Sequence, residues 1–519
     1  MLISALNPTV GWILTSSFSI ILAGFLVPYF RDPYHLRKYP GPILAKISYA
    51  WLLWVGISGR RSQIIHKIHK KYGPIIRISP SEISFSHPAA YSDVYSFGKN
   101  KATKSTFYDA FASIGLTNVF TSRSKTEHSQ KRKLLHSLFT AEIAREFSRR
   151  TCMITSTLLD KWATRHVEKE SCFDCVPWIS FLALDEMADF VFGESFGMVT
   201  SASDLVPAPK DMRLGLDMAA PPDEYPTQHI SLTSIVSSRE TYNYLVGVLP
   251  PWWKAVGRRI LRVQFQASTI FSGFVAHRLL QRLSTPTEAP HDLVGRFLLK
   301  VDAQEDFRPE SLLSELITIL VAGSDTTRNS LIAAIYYLAK SSDAQHTLHR
   351  ELDTHMSSPI SDITIENLPF LGACLNETLR LFSPVPLGLP RTVPEEGMMI
   401  RGEHFVGGTT VGVPIYTIHH DEAVWGENPG EFRPERWLND GNAKLDFAHA
   451  FKPFSDGPAS CIGRQMALTQ LRVMIALVFK RFEIHLEDPA DPLRIEDWFV
   501  RRVTECRIGV RRRYIGSLS

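Results

Sequence analysis

No charged side chain occurs before Arg31. A secretory signal needs a basic leading region and a small-x-small cleavage site, and neither is present. What remains is an apolar run, Val10 to Phe30, 21 residues long. About 20 helical residues cross the hydrocarbon core of a bilayer. Thr15, Ser16, Ser17 and Ser19 weaken that reading without abolishing it. Arg31, Arg37, Lys38 and Lys46 follow the run and no cation precedes it. The asymmetry predicts a single-pass transmembrane helix with the rest of the chain on the cytosolic side.

Cysteine is scarce, at 6 in 519 residues. That excludes a disulfide scaffold and fits reduced thiols. Cys172 and Cys175 form one C-x-x-C with no second pair, so they read as two unrelated thiols, not a zinc site. Charge of one sign is also lacking. A net +4 gives no case for a nucleic-acid partner. No glycine fingerprint for a flavin or nicotinamide precedes a helix in a βαβ context. Internal repeats and a convincing linker are absent as well. The composition, 44% apolar and 21% charged, permits a large core.

The organisation is then read from pattern. Tyr39–Pro42, "YPGP", stops any helix, and 31–45 reads as a Pro/Gly hinge between an anchor (1–30) and one folded domain (46–519). Gly73–Ser86 reads as two strands. Apolar residues recur at three and four from about 125 to 380, which predicts helices, with a loop at 200–230. Short strands follow 385, then a helix at about 463–481, and the ending "ECRIGVRRR" suits a strand. The fold class is mainly α with a smaller β part.

One cysteine stands apart. Cys461 lies in "FSDGPASCIG", just before the last apolar helix. Gly457 and Gly463 would let backbone approach something flat without a Cβ in the way. A helix starting near Cys461 would favour its thiolate through free N–H groups and the positive dipole end. Phe454 could shield the sulfur from water. A turn with an incidental cysteine explains the loop alone equally well.

Three further motifs decide between these readings. "ETLR" (Glu377–Arg380) places an acid and a base on one helix face. "FRPERW" (Phe432–Trp437) follows, and "AGSDTT" (Ala322–Thr327) sits inside a long apolar helix. With the cysteine loop about 80 residues after Glu377, the chain resembles the cytochrome P-450 family over nearly its whole length. The resemblance implies that fold, a thiolate-ligated haem, and Cys461 as the axial ligand of its iron. It implies that Glu377, Arg380 and Arg436 form a buried charge cluster serving folding and haem incorporation. It also implies that Asp325 and Thr326 relay protons during dioxygen activation. A Thr326 hydroxyl bonded to the Ala322 carbonyl would bend the helix there, and Ala322, Gly323 and Ser324 would leave room for a flat cofactor.

Haem propionates need cations, and here the sequence departs from the family. Two residues before Cys461, where Arg or His is usual, stands Ala459. The family's W-x-x-x-R becomes "HSQKR", with His128 for tryptophan and Arg132 kept. "LPRTVP" supplies Arg391. Arg132, Arg391 and His128 are therefore the expected propionate partners. Electrons must come from a separate NADPH-cytochrome P-450 reductase. Lys131, Arg132, Lys133 and Arg464 would form a basic face for it, and an endoplasmic-reticulum location suits both.

The family's substrate pocket would here be lined by Phe107, Tyr108, Phe111, Ala322, Val385, Leu387, Trp498 and Phe499, an apolar and aromatic set. Plain core packing explains any one of them as well. "FYDAFASI", "EHSQKRKLLHSLF" and the ending resemble fungal benzoate para-hydroxylases. The expected activity is a monooxygenase hydroxylating a small hydrophobic or aromatic compound, in aromatic-acid or secondary metabolism. Tailoring of a terpenoid or polyketide is the alternative. An isomerase or dehydratase that needs no dioxygen is a further one, against which the intact Asp325 and Thr326 count.

Overall fold

The computed structural model describes residue 27 and residues 29–513, apart from 99–100, 170, 212–225, 286–289, 302–308, 357–366 and 439–442. The expected anchor, 1–30, lies almost wholly outside the described residues. Among those described, no helix is long and apolar enough to cross a membrane.

A 32-residue central helix, Pro309–Lys340, organises the molecule. Helices Val176–Phe192, Arg262–Leu283, Pro369–Phe382 and Arg464–Arg481 all pack on it. Leu331 to Ile335 of this helix are buried without a break. Such all-round burial is why its sequence shows little apolar–polar alternation. The largest hydrophobic cluster joins these helices to Ala141–Trp162 through Phe147, Trp162, Phe190 and Phe274.

The β part lies beside this helical body. Five strands run in the spatial order Ile75–Ser79, Glu82–Phe85, Thr410–Gly412, Arg391–Thr392 and Thr103–Lys104. The first two pair as the sequence predicts. The ending forms the strand Arg507–Arg512 against Phe482–Leu486.

Two expectations are corrected. The stretch read as a loop holds a hairpin, Leu205–Pro209 against Thr227–Ser231. Pro207 and Pro209 argued against a strand because proline cannot donate to a ladder, but a two-stranded ribbon leaves outward-facing positions free of that demand. The hinge is also docked. Leu36 and Tyr39 are buried, and the Arg77 N–H donates to the Pro40 carbonyl (2.8 Å). At Gly41, φ is +154°, and a Cβ would lie 2.3 Å from the Arg77 carbonyl oxygen. Only glycine fits that approach.

Candidate active site

Helix Pro369–Phe382 carries Glu377 and Arg380, both fully buried, on one face. Arg380 grips the carboxylate with two parallel bonds, Nε to Oε2 (2.9 Å) and Nη2 to Oε1 (2.8 Å). Arg436 Nε also donates to Oε1 (2.9 Å). The three-residue cluster thus forms as the motifs imply. The sequence did not reveal two further donors, Trp437 Nε1 to Oε2 (2.9 Å) and the Arg433 N–H to Oε1 (3.0 Å).

His419 ties this cluster to the segment leading to the cysteine. The Lys452 N–H donates to its Nε2 (3.0 Å), so the ring proton sits on Nδ1, which faces the Arg380 carbonyl (3.1 Å) and the Ser383 hydroxyl (2.8 Å). Burial, reinforced by Arg380, pushes His419 down to about 3, so the ring is neutral. No motif in the sequence marked it.

The cysteine loop ends on helix Arg464–Arg481, which is capped by Gly463 and starts three residues after Cys461. The Cys461 N–H donates to the Phe454 carbonyl (2.9 Å). Cys461 keeps accessible surface but is enclosed by protein on most sides. That enclosure raises its thiol above the ordinary value, while the Gly463 N–H, Arg132 and Arg464 pull the other way. The two glycines divide their work. A Cβ on Gly463 would meet nothing within 4 Å, which is open space. Gly457, at φ +70°, instead lets the loop touch the helix Pro88–Tyr95, where a Cβ would come within 1.9 Å of the Tyr95 carbonyl oxygen.

On the central helix, Thr326 Oγ1 donates to the Ala322 carbonyl (2.7 Å), as expected. Ala322 is exposed in the middle of this buried helix. Gly323 and Ser324 do not share that opening. A Cβ on Gly323 would strike the Met187 sulfur at 2.5 Å, and Ser324 is buried with its hydroxyl donating to the Leu320 carbonyl (2.7 Å). Their small size serves helix packing, and Ala322 alone provides the gap.

A sequence profile of the family described as Cytochrome P450 matches residues 40–508. The chain belongs to the cytochrome P450 family. It is 30% identical to benzoate 4-monooxygenase bphA of Aspergillus niger over 96% of this chain and 97% of that protein. It is 30% identical to tryprostatin B 6-hydroxylase of Aspergillus fumigatus, covering 93% and 82% of the two chains. Pisatin demethylase of Fusarium vanettenii is 27% identical over 98% and 96%. Cytochromes P450 bind haem through a cysteine thiolate, and the chain is accordingly a monooxygenase, an oxidoreductase.

The polar residues near the cysteine fit such a group. Lys104, on the edge strand of the five-stranded sheet, stands directly opposite Arg391 on the neighbouring strand, both buried. Like charges placed so are destabilising unless an anion joins them. Lys104 Nζ donates to the Val119 carbonyl (2.8 Å), and Arg391 Nη1 donates to the Tyr108 hydroxyl (2.5 Å). Burial, together with Arg391 and Arg132, holds Lys104 down to about 7. Arg132 Nη1 donates to the Ser460 carbonyl (2.7 Å), next to the cysteine. His128 belongs to the same group of charges, but burial and then Lys104, Arg132 and Arg391 push it to about 4. It is a neutral imidazole able to offer an N–H, not a cation. The P450 cofactor's two carboxylates would answer this excess of positive charge. Lys104, which no sequence motif marked, belongs with Arg132 and Arg391.

Of the expected P450 pocket residues, six form one cluster. Phe107, Tyr108, Phe111 and Leu387 are its buried members, and Trp498 and Phe499 pack on it. Phe499 contacts Phe111 with ring centroids 5.0 Å apart and Phe107 at 5.9 Å. Phe120, missed in the sequence, completes the aromatic wall at 5.6 Å from both Phe111 and Phe499. Leu245 and Val248 of helix Leu232–Val248 close it. Val385 is half-buried and stands outside the cluster, as does Ala322.

The basic face is smaller than expected. Lys131 Nζ is held by the Thr117 carbonyl (2.8 Å) and lies 3.5 Å from Glu315, while Arg132 is turned to Ser460. Lys133 and Arg464 remain exposed.

Proposed function

We propose that the chain hydroxylates a small hydrophobic or aromatic compound, using dioxygen and electrons that a reductase draws from NADPH. In this reading Cys461 supplies the thiolate to haem iron, Phe454 and Gly463 border it, and Lys104, Arg132 and Arg391 hold the haem carboxylates. Bound haem supplies the dioxygen chemistry. Thr326 and Asp325 hold and pass the protons, and the aromatic cluster excludes water and orients a flat substrate. The observation that carries this reading is the Thr326 hydroxyl on the Ala322 carbonyl, at the one exposed alanine of the buried helix. A bond of that kind loosens the helix ladder where a proton donor is required.

Membrane association belongs to the same proposal. Ile43, Leu44 and Trp54 are exposed on the first helices, and Val256, Ile260 and Val263 on the segment before and within Arg262–Leu283. Helices Ala50–Ile57 and Lys254–Ile260 both pack on Leu232–Val248, so Trp54, Val256 and Ile260 flank one helix. A lipid surface is the partner such side chains suit. Lys133 and Arg464 are the exposed cations available to an acidic reductase domain.

Co-expression with a fungal reductase and a panel of benzoic acids, terpenoids and polyketides tests the reading. The expected products are heavier by one oxygen atom and require both dioxygen and NADPH. Turnover that proceeds without them would establish the isomerase or dehydratase reading in its place.

A further inference from the structure

Around Asp325 of the central helix, four buried polar atoms lack partners. They are Asp325 Oδ2 and the Nε atoms of Arg239, Arg328 and Arg502. Asp325 and Arg328 line a small cavity with Ser180, Ser324 and Thr233, with room for about one water molecule. Helices Val176–Phe192 and Leu232–Val248 form its other walls. Buried donors and acceptors are normally satisfied, so an orphaned carboxylate oxygen among three orphaned guanidinium N–H groups points to ordered water.

Thr233, Val236 and Glu240 fall on one face of helix Leu232–Val248, at spacings of three and four. Thr233 and Val236 line the cavity, and Glu240 lies one turn beyond Val236 on that face, outside the lining itself. Its Oε1 accepts the Val500 N–H (2.8 Å), and its Oε2 lies 3.6 Å from Arg502. Glu240 is buried, whereas Arg502 is 16% exposed and reaches towards solvent. The charged groups around Asp325 are thus Arg328 on its own helix, Arg239 and Glu240 on the facing helix, and Arg502 on the strand Arg501–Glu505.

We propose that Glu240 is the proton-holding residue that resupplies Asp325 through water in this cavity. The inference rests on the monooxygenase reading above and deepens it. In each transfer the Glu240 carboxyl gives its proton to cavity water, water gives one to the Asp325 carboxylate, and Glu240 regains a proton from solvent past Arg502. No electron moves and no bond other than O–H changes. Burial and the charge of Asp325 push Glu240 up to about 7, against Arg502, the Val500 N–H and Arg328, which keeps a proton available near neutral pH.

The test uses the full chain and the variants Glu240→Gln, Glu240→Asp and Val236→Ile. Infrared titration of the wild type should show a carboxylic-acid band that disappears with a midpoint near 7 and is missing in Glu240→Gln. With reductase, NADPH and a turned-over substrate, Glu240→Gln should lower product per NADPH by about tenfold and enlarge the solvent deuterium effect, with substrate affinity unchanged. Glu240→Asp should restore most of the coupling. Val236→Ile, which adds a methyl group to the cavity wall without touching charge or a hydrogen bond, should displace the water and uncouple in the same sense, and it decides the matter if the glutamine variant does not fold. Wild-type coupling and pH profile in both Glu240→Gln and Val236→Ile would overturn the proposal, as would absence of the titrating band. A wild type that consumes no NADPH with any substrate would count against the monooxygenase reading instead, and the infrared titration would still decide whether Glu240 holds the proton.

Discussion

Replacing Glu377 by glutamine isolates the charge of the buried cluster from its shape. The carboxylate accepts five hydrogen bonds, three of them from the guanidinium groups of Arg380 and Arg436. Glutamine keeps the volume but offers one acceptor oxygen, and its amide would meet either Trp437 Nε1 and Arg380 Nε or the Arg433 and Arg436 donors. Two cations would then lose their only carboxylate in the cluster. Breaking a buried ion pair from one side costs about 3–5 kcal/mol. Arg380 retains carbonyl partners on His419 (2.8 Å), Pro429 (2.7 Å) and Glu431 (3.3 Å), which moves the expectation to the lower end, about 3 kcal/mol. Against a net stability of about 5–15 kcal/mol that is a large fraction. Urea unfolding followed by tryptophan fluorescence measures it, with haem content recorded alongside. A loss below about 1 kcal/mol, the size of an ordinary neutral hydrogen bond, would refute the reasoning that stranded charge dominates here.

Other outcomes follow from the same geometry. Cys461→Ala should abolish the far-red-displaced Soret band of the reduced, carbon monoxide-treated protein, and an unchanged spectrum would remove Cys461 from the iron. Thr326→Val should cut product per NADPH by about tenfold while leaving substrate-binding spectra intact. Lys104→Met should weaken haem retention. Because the folded-state value of Lys104 is depressed from 10.5 to about 7, its protonated form destabilises the haem-free fold. Haem-free wild type should therefore gain up to about 1.4 kcal/mol per pH unit above pH 7, and urea unfolding at several pH values should show that slope missing in Lys104→Met.

The sequence made the chemistry legible where residues act at short range or in a fixed motif. Glu377 and Arg380 share a helix turn, and Thr326 reaches Ala322 one turn back, so spacing alone placed their contacts. Lys104 and Arg391 become neighbours only because two-residue strands pair across a sequence separation of 287, and strands that short leave no periodicity to read. Gly323 and Gly457 were legible as glycines but not in purpose. Each accommodates a neighbour, the Met187 sulfur or the Tyr95 carbonyl, that only the fold brings close. His419 carried no signal because it bonds backbone and a serine hydroxyl, partners that only the fold brings to it.

Ala459 shows how these two kinds of information combine. Its methyl removes the cation that P450 loops usually place two residues before the cysteine, so the loop read by itself looks short of positive charge. The fold restores the balance from a distance. The Thr103–Lys104 strand sets a lysine against Arg391, and the Lys125–His136 helix adds Arg132 on the cysteine loop itself. His128 adds no charge, since burial first and then those same cations hold its imidazole neutral. A group whose burial and neighbours press Lys104 towards neutrality is one that an arriving dianion would stabilise, because each carboxylate would relieve the repulsion among the cations and return Lys104 to its charged form. On the proposed reading, haem binding and proton uptake by Lys104 are therefore coupled, and the missing residue at 459 is the reason this chain depends on that lysine.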